Sequence, residues 1–92
     1  MYGFDLPVIY FVYIIECEDG TLYTGITTDS SRRFKEHMSG KAARYTRSHR
    51  PKLLVYEEQV LTQSCALKRE HAIKKMTRAQ KIRMIQCSPR RD

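Results

Sequence analysis

The sequence predicts an α+β domain, a three-stranded antiparallel sheet flanked by about three helices. Three observations predict it. Val8–Cys17 is a run of apolar, β-branched and aromatic residues that ends in the turn signal Glu18-Asp19-Gly20. A further β-rich run, Leu53–Val60, follows Pro51. Helix-cap signatures stand at Asp29, at Thr62 or Ser64, and at Thr77.

Taken in order, Val8–Cys17 is apolar without alternation, as expected of a strand covered on both faces. Thr21–Ile26 reads as the returning strand. Asp29 caps a helix that runs to about Ser39 and is closed by Gly40. The basic stretch Lys41–Lys52 reads as a turn of helix and a loop, and Leu53–Val60 as the third strand. A second helix runs from Thr62 or Ser64 to about Lys75. In the third, Thr77 and Gln80 match a capping box, with Ala79, Ile82 and Ile85 as the inner face. The 92 residues suffice for one modest core, so a single domain is expected, with its core at about 10–86.

The hairpin register carries a geometric demand. A two-residue Asp19-Gly20 turn would put Tyr13 and Tyr23 on opposite faces of the sheet. A three-residue Glu18-Asp19-Gly20 loop, with Gly20 left-handed, pairs Tyr13 with Gly25 and Ile15 with Tyr23. Both phenols then emerge on one face as diagonal neighbours. This second register is the one expected, and in it Gly25 leaves open space beside Tyr13 for a water or a phosphate oxygen.

Charge is unevenly distributed. The chain carries 17 Lys and Arg against 10 Asp and Glu, a formal net charge of +7. Residues 1–31 hold five of the acids and none of the bases, so the rest of the chain has a surplus of 12 positive charges. Such a concentration suits a polyanion, most often nucleic acid, and charge alone describes a solvated basic surface equally well. Arg44, Arg47 and Arg50 recur every third residue, with Lys41, Tyr45, His49 and Lys52 between them.

Cys17, Cys65 and Cys87 are odd in number and too widely spaced for a zinc knuckle, so they read as small apolar groups in a reduced, cytosolic protein. The apolar run Leu6–Ile15 lacks a basic flank and a small-residue cleavage site, and is read as a strand rather than a signal peptide or a membrane span.

Several side chains could carry chemistry. Arg33 and His37 share one helix face at i,i+4, next to an apolar face marked by Phe34 and Met38. That pair suits a phosphate, although spacing alone favours a solvated Arg and a partly exposed His. Glu70 lies on or near the inward stripe of its helix with Ala66 and Ile73, and so needs a partner. That partner is either a magnesium ion or a salt bridge such as one to Arg33. Tyr13 and Tyr23 are either core aromatics or phenols that handle a water. The second role requires positive charge nearby, because a free phenol has a pKa of roughly 10. Tyr10 and Tyr56 read as packing residues and His71 as solvated surface.

These residues resemble the GIY-YIG nuclease superfamily. Phe11-Val12-Tyr13 stands at the GIY position and Tyr23-Thr24-Gly25 at the YIG position, followed by Arg33, His37 and Glu70 in the family's order. The resemblance covers roughly residues 10–86 and is nearest to the small stand-alone bacterial members. It implies the GIY-YIG fold and divalent-metal-dependent hydrolysis of DNA, of structured or single-stranded form, in repair or recombination. Tyr13, Tyr23, Arg33, His37 and Glu70 would be catalytic, with Glu70 holding Mg²⁺ or Mn²⁺. Gly25, Arg32, Lys41, Arg44, Arg47, Arg50 and Lys74 are expected to face nucleic acid. The alternative expectation is a basic nucleic-acid-binding module of the same fold that cleaves little or nothing. A third is an adaptor whose basic face docks on a protein or RNA. The partner is thus expected to be nucleic acid, DNA foremost, with a partner protein adding specificity. No membrane partner is expected, and the chain is expected to be a cytoplasmic monomer. Three positions depart from the family pattern: Phe11 replaces the first Gly, Ile26 stands where some members carry a Lys, and only Gln80 approximates a downstream Asn.

Overall fold

Strand β1 (Tyr10–Cys17) lies at the centre of the sheet, which accounts for its unbroken apolar character. Residues of β1 alternate between two faces, and both are covered. Val12 and Ile14 join Tyr56, Ala66 and Ile73 in one buried cluster, while Tyr13, Ile15 and Cys17 form a second. The computed structural model describes residues 8–88. Tyr2 and the first two residues of the apolar run, Leu6 and Pro7, lie outside them.

β2 (Leu22–Thr27) and β3 (Pro51–Val60) flank β1 antiparallel on either side, in the order β2-β1-β3. The hairpin has the three-residue register, with Tyr13 opposite Gly25 and Ile15 opposite Tyr23. Gly20 takes φ +86, and its N–H donates to the Cys17 carbonyl at 2.9 Å. Asp19 accepts from the Thr21 backbone and hydroxyl at 3.1 and 2.7 Å, which braces the loop. β3 begins at Pro51, whose missing N–H is tolerated at a strand's first residue. A shift in the β1–β3 register leaves Val55 without a partner between Tyr56 and Leu54. Val55 and Tyr56 therefore both pack on the first cluster, while Leu54 packs on the second.

Four helices complete the architecture: α1 (Ser30–Met38), α2 (Arg44–Ser48), α3 (Gln63–Lys74) and α4 (Arg78–Cys87). Asp29 and Thr62 accept from backbone N–H groups and cap α1 and α3, and Thr77 with Gln80 forms the full capping box of α4. α3 and α4 cover the Val12 face through Ala66, Ile73, Met84 and Ile85, whereas Phe34 of α1 and Tyr45 of α2 cover the Tyr13 face. α2 is the single turn of helix expected within the basic stretch.

Several expectations are corrected. Ala79 is exposed, and Met84 rather than Ala79 joins Ile85 on the core, because α4 is rotated relative to the stripe read from its spacing. Met38 is 48% exposed, since it lies in the last turn of α1 and only Phe34 reaches the second cluster. Of the three free cysteines only Cys17 is buried; Cys65 and Cys87 are exposed near helix ends.

Candidate active site

The second cluster contains a buried polar chain. The Tyr13 phenol lies 2.7 Å from His37 Nε2, and His37 Nδ1 lies 2.7 Å from Thr46 Oγ1. Thr46 has one hydroxyl proton and donates it to the Ala43 carbonyl at 3.2 Å. It follows that Nδ1–H donates to Thr46 and that Nε2 accepts from the Tyr13 hydroxyl. His37 is fully buried and Tyr13 is 2% exposed.

Both groups titrate far from their usual ranges. Burial pushes Tyr13 up to about 12; a hydrogen bond from Arg33 works against that, while Tyr23 and Glu70 add to it. Burial also pushes His37 down to about 4, helped by the positive charge of Arg33 and opposed by Glu36. At neutral pH the phenol is therefore protonated and the imidazole neutral, in agreement with the direction of the hydrogen bonds.

Arg33 sits in the first half of α1, where the Asp29 cap fixes the helix start. Its guanidinium donates to Glu36 at 3.0 Å and also bonds the Tyr13 phenol, and Glu36 holds its pKa above the ordinary arginine value. Glu36 additionally pairs with Arg32 at 3.6 Å. The carboxylate partner of Arg33 is thus on its own helix; it is not Glu70.

Glu70 projects from α3 close enough for its charge to act on Tyr13. Its side chain is 20% exposed and is met at 3.4 Å by Lys74 one turn later. Among the described residues no group of three or more His, Cys, Asp or Glu side chains could hold a metal ion. A single carboxylate fits a hydrated magnesium-type cation, which takes most of its ligands from water and phosphate. It does not fit zinc, which needs three or four protein ligands.

Tyr23 completes the aromatic group. Its ring lies 6.4 Å from Tyr13, 5.0 Å from His37 and 5.6 Å from Tyr45, and Tyr45 stacks on His49 at 4.1 Å. His49 reaches the hairpin loop, where its Nδ1 lies 2.8 Å from Asp19 Oδ2 and holds that carboxyl well below the usual range. Nothing in its spacing indicated that Tyr45 belongs beside the site.

The expected space at Gly25 is filled. A Cβ on Gly25 would meet the Tyr13 hydroxyl at 2.5 Å and the adjoining ring carbon at 2.7 Å. Gly25 therefore makes room for the phenol itself, and no water or phosphate enters there.

The five expected catalytic residues do converge, with Tyr13 at their centre. The expected nucleic-acid residues are more dispersed. Arg32, Lys41, Arg44, Arg47 and Arg50 are exposed on α1, on α2 and beside it, and Lys74 is engaged with Glu70. Gln80 is committed to the α4 cap, its carbonyl oxygen accepting from Thr77 N at 2.8 Å, so it offers nothing to the site. Three supporting residues escaped the sequence reading: Glu36, Thr46 and Glu58. Glu58 accepts from Arg69 at 2.9 Å and from Tyr56 at 2.6 Å, fixing α3 against β3 one residue before Glu70.

A family model described as the GIY-YIG catalytic domain matches residues 9–83. A UPF0213 protein of Desulfotalea psychrophila is 53% identical over 85 residues, covering 91% of this chain and 76% of that protein. One from Staphylococcus epidermidis is 53% identical over 77 residues, covering 84% and 94%. The solution NMR structure of the UPF0213 protein BH0048 from Bacillus halodurans superposes with a TM-score of 0.58 at 40% identity, covering 88% of this chain and 86% of that one. That of a protein from E. faecalis gives 0.58 at 36% identity, covering 91% and 93%.

Proposed function

The chain belongs to the GIY-YIG catalytic domain family, and from that membership we propose that it is a divalent-metal-dependent endonuclease acting on DNA, structured or single-stranded. The observation that carries the reading is the convergence on one phenol. Tyr13 bonds His37 and Arg33 and feels the charge of Glu70 and Tyr23.

The roles follow from what each group can do. Arg33 offers planar donors to the scissile phosphate and neutralises charge that develops on it. Tyr13 and Tyr23 orient the attacking water. The proton of Tyr13 already points at His37, so Tyr13 has an acceptor in place. Its release is opposed in the resting protein, where the two groups titrate near 12 and near 4. Additional positive charge at the phenol is therefore required for it to act as a base. Glu70 is the residue that would hold a Mg²⁺ or Mn²⁺ ion, and a bound cation supplies charge to the phosphate and lowers the pKa of water. Lys74, half exposed, would give way, since an i,i+4 helix pair contributes only about 0.3–0.5 kcal/mol.

The same two titration values favour a second reading, a nucleic-acid-binding module that retains the fold and cuts little. Repair or recombination as the setting, action as a monomer in the cytoplasm, and a partner protein that adds specificity belong to the proposal on the same footing. Among the described residues no helix is long and apolar enough to cross a membrane.

One experiment separates the two readings. Purified protein is incubated with labelled DNA of several structures in Mg²⁺, Mn²⁺ or EDTA. Metal-dependent nicking that disappears in Glu70→Ala and in Tyr23→Phe supports the enzyme; cleavage unchanged in Glu70→Ala points to a contaminant and removes the site assignment. Binding without cleavage supports the module.

A further inference from the structure

Behind His37, on the side away from Tyr13, an open cleft of about 230 Å³ is walled by His37, Ser39, Thr46, Arg47, Ser48 and Arg50, with Gly40 at its rim. No acidic side chain lines it. Arg47 has no carboxylate partner among the described residues, and Arg50 has only a loose pair with Glu18 at 3.5 Å, with side chains 75% and 59% exposed. Such a pair contributes little and gives way readily. The Thr46 hydroxyl is committed to Ala43 and the Ser39 hydroxyl to Glu36, so Arg47, Arg50 and Ser48 are the donors left for a ligand. Cations left uncompensated around a polar recess favour an anion.

Size narrows the ligand. The cleft is smaller than the roughly 300–1,000 Å³ of pockets that enclose a whole small molecule. It suits one tetrahedral oxyanion with two guanidinium groups about it. Position narrows it further. The cleft opens at the C-terminal end of α1, between His37 and Gly40. At about 1.5 Å per residue, that is about 6–10 Å along the helix from Arg33. A strand rises about 3.4 Å per nucleotide, so a chain whose scissile phosphate meets Arg33 has another phosphate near the cleft, about two or three nucleotides away.

We propose that this cleft is a phosphate subsite, in which Arg47 and Arg50 grip a non-scissile phosphodiester of the bound strand and so set its register across Tyr13. This rests on the nuclease reading for its purpose, but not for its test. The shared wall residue matters: His37 bonds Tyr13 with one ring nitrogen and Thr46 of the cleft wall with the other, so the subsite and the phenol are linked through one buried imidazole.

The test uses inorganic phosphate as the probe, added to the full chain at constant ionic strength with chloride as the balancing anion, and followed by amide NMR. Saturable shifts at Ser39, Gly40, Arg47 and Ser48 are expected in the wild type. They should weaken at least fivefold in Arg47→Ala/Arg50→Ala and persist in Arg83→Ala, a cation removed from α4. Retained amide dispersion in the double variant establishes that it is folded; Arg47→Lys and Arg50→Lys serve in its place if it is not, and should bind more weakly because an ammonium cannot grip two oxygens at once. Shifts that chloride reproduces, or that survive in the Arg47 and Arg50 variants, overturn the subsite. A wild type that binds phosphate here but cuts no DNA leaves the subsite standing and removes the nuclease. Cleavage without phosphate binding does the reverse.

Discussion

The hydroxyl of Tyr13 donates to Nε2 of His37 across 2.7 Å, and both residues are withdrawn from solvent. A strand residue and a helix residue 24 positions apart are thus joined by one hydrogen bond, its proton held on the phenol. The direction of the bond is set at the far end of the imidazole, where Thr46 turns its own proton to Ala43.

Removing the Tyr13 hydroxyl should reduce metal-dependent nicking by about 10²–10⁴-fold, the usual contribution of a positioned proton-transfer group. Because the phenol is held protonated well above neutrality, wild-type cleavage should rise with pH by up to about tenfold per unit through the neutral range. Tyr13→Phe should flatten that rise. A steep profile retained in Tyr13→Phe would move the base to Tyr23 or to a water. The variant also leaves Nε2 of buried His37 without its donor, at a cost of about 1–3 kcal/mol, readable by urea denaturation.

His37 predicts how stability depends on pH. Its folded pKa of about 4 lies below the ordinary histidine value of 6.5, so between those values the unfolded chain takes up a proton that the folded chain refuses. Stability is accordingly unaffected by this group above about 6.5, falls as pH drops toward about 4, and levels off below, a total loss of up to about 3 kcal/mol. His37→Gln should abolish that slope. Asp19 acts in a different window. Its carboxyl is held low by His49 and Thr21, so its contribution is lost only below the ordinary carboxylate range. Urea midpoints measured from pH 7.5 to 4.0 in both proteins separate the two, and an unchanged slope in His37→Gln would contradict the assignment.

Comparison of pattern with structure divides along a physical line. The hairpin register was legible because loop length and the left-handed Gly20 determine which residues face each other, and these are local matters. The caps at Asp29, Thr62 and Thr77 were legible for the same reason. Depth was not. The i,i+4 spacing of Arg33 and His37 is identical whether His37 is half in water or sealed, and only the packing of α2 through Thr46 seals it. Partner choice was equally hidden: Glu36 at i+3 and Lys74 at i+4 took the places offered to a bridge between Glu70 and Arg33. At Gly25 the pattern indicated missing volume but not its occupant, which is the ring of Tyr13.

That occupancy is itself testable. A methyl at position 25 would stand 2.5–2.7 Å from the Tyr13 phenol, well inside contact distance. Gly25→Ala should therefore displace the ring and destabilise the fold by about 1–3 kcal/mol. In Tyr13→Ala, where the ring is absent, the same substitution should cost far less, giving a coupling above about 1 kcal/mol in the double-mutant cycle. Additive costs would mean that the two positions do not compete for one space.

Glu70 should bind the cation without holding the fold. Its only ionic partner among the described residues is Lys74, 52% exposed at the side chain, so Glu70→Gln should move the melting midpoint little. In the wild type, Mn²⁺ should broaden amide resonances around Glu70 and Tyr13; in Glu70→Gln that broadening should vanish, along with nicking. EDTA should stop cleavage and leave the melting curve in place, since a single carboxylate and water form no structural site. Broadening that persists in Glu70→Gln would locate the ion elsewhere.

The exposed cations of α1 and α2 can be ranked by what already neutralises them. Lys41 and Arg44 have no carboxylate partner among the described residues, whereas Arg32 shares Glu36 at 3.6 Å. If they meet phosphates, Lys41→Ala and Arg44→Ala should each weaken DNA binding to a similar extent across sequences. Each should also flatten the dependence of log affinity on log salt by about 0.7–0.9, the slope contributed by one phosphate contact. Arg32→Ala should do less, because Glu36 already answers its charge. Lys74→Ala should act differently again. Removing the ammonium at 3.4 Å from Glu70 frees that carboxylate, so cation affinity should rise even as a nearby positive charge is lost. Salt slopes measured by fluorescence anisotropy for the four variants test the ranking. Equal slopes for Arg32→Ala and Arg44→Ala would show that pairing with Glu36 does not decide which cations reach the nucleic acid.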